Sequence, residues 1–262
     1  MNGFIIWQGP SEIDGAPIVV IATGIVNGGN NSKTGPMTQI YILRSDVAPL
    51  HAVALGLDRS ICGSCRHRGR PEVVDGKLKL TERTCYVQLT HGPRMVFEAL
   101  QKGRYATVLD RTAAALLAVR PVRFGAYGDP GAVPVEVWAR VLKSVRTSNA
   151  YTHLWRERPD LASFCMASCD TEEERLEAKA LGFRTYRVRP AGAPLMKGEG
   201  HCPASDEMAS EKNPLMQCAR CMLCDGNRRS LKVDIAIEAH GSGKVHYERQ
   251  EAARLDPQRI AA

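Results

Sequence analysis

From Val122 to Val188 the chain alternates short apolar runs with amphipathic stretches, and this rhythm narrows the possible folds more than any other feature. Val122 to Tyr127 reads as a strand and Pro134 to Arg146 as an amphipathic helix. Ala150 to Leu154 and Ser163 to Ala167 read as strands, Thr171 to Leu181 as a helix, and Arg184 to Val188 as a strand. Strands alternating with helices indicate parallel β-α units joined by right-handed connections. The expected class is α/β: a partial or complete parallel α/β barrel, with a β-rich N-terminal segment and a cysteine-rich, metal-binding C-terminal segment.

In such a barrel the functional residues stand where strands end. Gly128-Asp129, Thr152-His153, Cys169-Asp170 and the run from Arg187 to Arg189 occupy those positions. Asp129, His153 and Arg189 are therefore the candidate catalytic groups. Asp129 lies between Gly128 and Pro130, so a turn role competes with a site role. Asp170 precedes Thr171 and three glutamates, which reads as a helix N-cap.

The first 60 residues look β-rich. Pro17 to Thr23 and Thr38 to Arg44 carry β-branched and aromatic residues, and Asn27 to Gly35 between them is a loop by composition. That loop lacks the glycines of a phosphate-binding P-loop, which Asn27 and Ser32 replace. Arg94 to Gln101 and Asp110 to Val119 have helical spacing. The expected organisation is a β-rich segment packed on the core (1–60), a barrel-like core with the first cysteine group (61–200), a cysteine cluster segment (201–246) and a charged, exposed tail (247–262).

Nine cysteines stand in a chain of 262 residues, long enough to bury a substantial core without disulfides. Met1 to Asp14 has neither a basic nor an apolar signal region. The most apolar stretch, Ala16 to Val26, is about half the ~20 residues a membrane helix needs. No membrane association is expected, and the expected location is the cytoplasm. In that reducing compartment clustered cysteines are metal ligands or catalytic groups more often than disulfides.

The first cysteine group is Cys62, Cys65 and, twenty residues later, Cys85 followed by Tyr86. The second is Cys202 with Cys218, Cys221 and Cys224, a complete four-sulfur shell that suits zinc or a [4Fe-4S] cluster equally. The first group has three thiols. A closed zinc site there needs a fourth ligand such as His67 or His91. A cluster held by three cysteines keeps one iron open for a substrate or for S-adenosylmethionine (SAM). Cys165 and Cys169, roughly 13 Å apart in an extended strand, cannot pair. Cys165 reads as a buried strand residue, and Cys169 could face the site. His240, at the end of the apolar run Val233 to Glu238, reads as structural.

The net charge of +7 is concentrated around the first group. Arg59, Arg66, Arg68, Arg70, Lys77, Lys79, Arg83 and Arg94 are opposed only by Glu72, Asp75 and Glu82. Segment 59–94 is thus a candidate contact for nucleic acid, another phosphorylated substrate or an anionic cluster, or a solvated basic loop.

Several runs resemble an uncharacterised protein family common in bacteriophages and prophages. They are Asn31 to Leu43, Ile61 to Arg68, Cys85 to Val87, Tyr127 to Pro130, Tyr151 to His153, Cys165 to Ser168 and Cys202 to Ser205. The resemblance covers nearly the whole chain and extends, more distantly, to the phage "gene product 88" family and to radical-SAM proteins, which fold as partial α/β barrels. If phage-encoded, the chain would work in the host cytoplasm. The resemblance implies a cluster on Cys62, Cys65 and Cys85, with Tyr86 beside the cofactor, and an auxiliary metal site at the C-terminus. The usual radical-SAM spacing, Cys-x-x-x-Cys-x-x-Cys, is not reproduced, because Cys85 is remote. Three functions compete: a radical-SAM-like iron–sulfur enzyme with an unknown substrate, a zinc-containing nucleic-acid-binding protein, and a zinc-bearing base-modifying barrel like the guanine transglycosylases, with Asp129 as nucleophile.

Overall fold

A computed structural model describes residues 2–29, 31–108, 110–208, 216–241 and 243–255, without the side chains of 77–79 and 255. Strands β1 (Gly3–Pro10), β2 (Pro17–Thr23) and β3 (Thr38–Arg44) run antiparallel to their neighbours. Ile18 to Ala22 of β2 are wholly buried, as a central strand covered on both faces requires of an unbroken apolar run.

A hairpin follows, of β4 (Arg70–Val74) and β5 (Lys77–Thr81). Its turn residues Asp75 and Gly76 both have positive φ, 53° and 70°, the geometry that Asp-Gly favours in two-residue turns. Next, β6 (Val122–Tyr127) pairs in parallel with β3, and β7 (Ser148–Asn149) in parallel with β6. The N-terminal strands and the first β-α unit therefore share one sheet, ordered β1-β2-β3-β6-β7.

The second sheet contains β8 (Tyr151–Thr152), β9 (Met166–Cys169), β10 (Thr185–Arg189), β11 (Glu199–His201) and β12 (Asp234–Glu238). Its order is β11-β12-β10-β9-β8, and every pairing is parallel. The class is mixed α/β with a parallel sheet, as expected. Ala150 alone separates β7 from β8. Its N–H donates to the Cys224 carbonyl at 3.1 Å and its carbonyl accepts from Met166 N–H at 2.9 Å. Residues 148–152 thus form an edge of both sheets.

Between the layers, Phe124 packs edge-on against Trp138 and Phe164, with ring centroids 5.3 Å apart in both pairs. Trp138, on helix Val135–Leu142, donates its indole N–H to the Pro130 carbonyl at 2.8 Å. Helix Glu172–Ala180 is tied to the second sheet by Asp234, which accepts from Arg175 (2.7 Å), Lys179 (2.9 Å) and the Thr185 N–H (3.0 Å).

Some local expectations shift. The strand expected at 163–167 lies at Met166–Cys169, because Pro159–Ser163 coils into a 3-10 turn. The N-cap of helix Glu172–Ala180 is Thr171, whose hydroxyl accepts from Glu174 N–H at 3.2 Å. Asp170 is left free of that duty. The expected exposed tail is, in its described part, helix Lys244–Leu255. Tyr247 and Glu251, four residues apart on one face, turn inward, with the Tyr247 hydroxyl donating to Val188 at 2.6 Å. Residues 256–262 of that tail lie outside the described part. No helix among the described residues is long and apolar enough to cross a membrane.

Candidate functional site

The first cysteine group begins where helix Arg59–Cys62 ends. Gly63 turns the chain at φ +56°, and a Cβ there would stand 2.3 Å from a Leu154 methyl, so the reversal requires glycine. Cys65 then opens a 3-10 turn, Arg66–Arg68. The β4–β5 hairpin carries the chain away and returns it. The N–H groups of Thr84 and Cys85 both donate to the His67 carbonyl, at 3.2 and 2.9 Å. The remote cysteine thus ends beside the other two.

Burial pushes the Cys62 thiol up, and Cys65, Asp58 and Cys85 push it further, which places the thiols as electrostatic neighbours. Burial takes Cys65 up to about 12 and raises Cys85. Against this, the His67 N–H is directed at the Cys65 sulfur and the Val87 N–H at that of Cys85, each from two residues downstream. Such donors favour thiolate over thiol. The buried Tyr127 hydroxyl has no partner. Burial raises its pKa, and Cys62, Asp58 and Cys85 raise it further. An orphaned donor among thiols fits an anionic acceptor there.

Both His67 nitrogens are engaged, Nδ1 with Thr84 Oγ1 at 2.7 Å and Nε2 with Asp170 Oδ1 at 3.1 Å. His67 therefore has no free lone pair for a metal as it stands, and His91 caps a helix without lining this cavity. The group keeps three thiols. Cys65 and Cys85 border a cavity of about 200 Å³ whose walls also include His67, His153, Asp170 and Cys169. His153 stands edge-on to His67, with centroids 5.5 Å apart.

Burial alone would raise the Asp170 carboxyl. The His67 hydrogen bond, with the charges of His67, His153 and Arg66, overrides it and holds the pKa at about 2. A carboxyl depressed on folding stabilises the fold above its unfolded pKa, and the contribution is lost as pH falls through the folded one. Asp170 should contribute fully above its reference value of 3.8 and cease to contribute near pH 2. Asp170→Asn should cost about 2 kcal/mol at pH 7 and nothing at pH 2. Urea denaturation of both proteins across that range checks this.

The second group forms around a left-handed residue. Helix Cys218–Cys221 ends at Met222, φ 53°, which turns the chain so that Cys224 lies beneath Tyr151. Cys202, Cys218, Cys221 and Cys224 line one cavity of about 220 Å³. Burial raises Cys218 and Cys224, and takes Cys202 up to about 11. The Tyr151 hydroxyl donates to the Cys224 sulfur, and the Ala204 N–H is directed at Cys202. As the side chains stand, no three of the described His, Cys, Asp and Glu residues converge on a single ion. The donor chemistry of both groups nevertheless fits a thiolate-bound metal: several thiols per cavity, aligned N–H and O–H donors, and an orphaned hydroxyl.

The two cavities share walls formed by Tyr86, Arg123, His153, Ser168, Tyr186 and His240. Tyr86 stacks on His240 with centroids 4.8 Å apart. His153, Tyr86, Cys65, Cys85 and the second cysteine group therefore border one joined space. Of the residues expected there, Arg189 is absent. Tyr186 and Val188 face the cavities, so strand alternation turns Arg187 and Arg189 to the other side. There Arg189 binds Glu207, Glu238 and the Ala193 carbonyl. Asp129 is a clamp. Its carboxylate accepts from Gly131 N–H (2.8 Å), Thr152 Oγ1 (2.7 Å) and His153 N–H (2.7 Å), and so tied it is a poor nucleophile.

Several cations of the basic segment have partners within the chain. Arg66 pairs with Glu251, Arg68 with Asp58, Arg70 with Glu82 and Arg94 with Glu98, while Arg83 binds the carbonyls of Cys85 and Val87. Arg59, Arg70 and Arg94 remain exposed to solvent. Asp170 and the two polar strand residues Arg123 and Asn149 are site groups that sequence reasoning missed. For Asp170 the signal was misread as a cap; for Arg123 it was a cation inside a strand of a parallel sheet. Compared with protein-family models, curated proteins and solved structures, the chain matches none.

Proposed function

We propose that this chain is an iron–sulfur enzyme of radical-SAM-like type, built on a partial α/β barrel. In this reading β3, β6, the shared segment 148–152, β9, β10 and β12 form the barrel wall. Cys62, Cys65 and Cys85 hold a [4Fe-4S] cluster with one iron open to the mouth. Cys202, Cys218, Cys221 and Cys224 hold a second, auxiliary cluster. The observation that carries the reading is the hairpin return: it brings Cys85 back to Cys62 and Cys65, beside an orphaned tyrosine hydroxyl, while His67 is held by Thr84 and Asp170.

Once bound, a cluster of this kind supplies one-electron chemistry at its open iron, the position at which SAM binds in radical-SAM proteins. The chain's own residues supply the rest. Tyr127 and the aligned backbone N–H groups stabilise negative charge on the thiolates. Asp170 orients His67 and keeps a proton on its Nε2 when the ring donates to the carboxylate. His153 and the Tyr86–His240 pair wall the space in which a substrate would lie.

The test is metal analysis of protein purified without oxygen. The reading expects a brown protein with about eight irons and eight sulfides per chain, and SAM should perturb the spectrum of the first cluster alone. A colourless protein with zinc in both groups and no iron would overturn it in favour of structural zinc. Full metal content in Cys85→Ala would remove Cys85 as a ligand.

A further inference from the structure

Gln39, Arg123 and Asn149 stand side by side in register across β3, β6 and β7. A ladder of long polar side chains is unusual on a strand face in a parallel sheet, which is normally covered by apolar residues. Gln39 satisfies itself on the Met37 carbonyl at 3.4 Å. The other two do not. Arg123 Nε is buried without a partner, and no carboxylate pairs the guanidinium among the described residues. Asn149 is 2% exposed, its Oδ1 has no partner, and its Nδ2 meets only the Met37 sulfur at 3.9 Å.

Both residues line the larger of the two joined cavities, and Arg123 lines the smaller as well. Lys33 adds a second cation to the larger cavity, whose walls contain no Asp or Glu. Apart from the four cysteines no anionic side chain stands on those walls, so two cations and an orphaned carboxamide can take a further group of opposite charge from outside. Part of the remaining wall is aromatic. Tyr151 lies against Tyr186 with centroids 4.5 Å apart, and Tyr86 lies against His240. Such pairs present flat apolar faces with polar edges.

We propose that Arg123 and Asn149 form an anion-binding subsite, with Lys33 at its rim, for a small molecule bearing a carboxylate or phosphate on a planar ring. The guanidinium takes the anionic oxygens, the carboxamide takes a neighbouring polar atom, and the tyrosines cover the ring. The inference stands whichever metal the thiols hold.

The test uses the full chain purified without oxygen, with benzoate, phenyl phosphate and neutral benzamide as probes in titration calorimetry. Benzoate or phenyl phosphate should bind and benzamide should not; the tighter of the two anions identifies the charged group. Arg123→Met should weaken the bound anion by about 30-fold and Asn149→Leu by about tenfold. Because an unpaired buried cation costs folding energy, Arg123→Met should melt at the same temperature as the parent or higher. A purely structural arginine would lower it. Absence of binding by either anion at concentrations of about 10 mM would overturn the proposal. So would an Arg123→Met protein that keeps its anion affinity but sheds metal, which would assign the cation to the thiolates.

Discussion

On the proposed two-cluster reading, Cys224→Ser should halve the iron and sulfide of the protein while leaving the first cluster's response to SAM intact, and Cys65→Ser should do the converse. Cys65 and Cys85 line one cavity and the second group the adjoining one, with no cysteine in common, so their metal contents should vary independently. Cys224 is the most sensitive position of its group. Its carbonyl accepts from Ala150, on the segment that edges both sheets, and its sulfur accepts from Tyr151. Loss of the metal should therefore loosen that edge as well. We expect the melting temperature to fall by about 10 °C or more, because a metal bound only by the folded state adds its binding energy to folding. Parallel metal analysis and calorimetry of both variants check this.

Asp129→Ala should cost about 4 kcal/mol. The carboxylate joins the end of β6, the turn at Pro130–Ala132 and the end of β8 through three hydrogen bonds in a buried setting. Truncation leaves the Gly131 and His153 N–H groups and the Thr152 hydroxyl without an acceptor, and each buried orphan costs about 1–3 kcal/mol. Asp129→Asn keeps the shape and one acceptor oxygen but turns an amino group toward the His153 N–H, so about half the loss is expected. The midpoint in urea should fall with an unchanged slope, as for a pure stability effect. An unaltered midpoint in Asp129→Ala would return the residue to the list of reactive groups.

The parts of this fold that were legible are those where local pattern and tertiary role agree. β2 follows from its β-branched run, β6 from its alternating Val122, Phe124 and flanking Tyr127, and helix Glu172–Ala180 from its acidic first turn. The pairing of β3 with β6 was not legible, because 77 residues lie between the end of one strand and the start of the other and nothing in either run names its partner. Asp170 was misassigned because aspartate and threonine are both good caps; Thr171 took the duty and freed the aspartate for His67. Arg189 was placed by its distance along the strand, whereas its side was decided by alternation, with Tyr186 and Val188 facing inward. A charge count over the basic segment ignores partners such as Glu251, 185 residues from Arg66.

The hairpin between Cys65 and Cys85 changes what a spacing between ligands means. An antiparallel ribbon leaves and re-enters at neighbouring points, so lengthening or trimming it by matched residues on both arms moves its tip and leaves its base where it was. The interval separating two ligands is then a free variable that evolution can tune for surface purposes. Chains whose thiols meet in this way would escape any search written as a fixed count of intervening residues. They would be caught by a rule that asks instead whether an Asp-Gly turn, flanked by two alternating runs of equal length, stands between the cysteines.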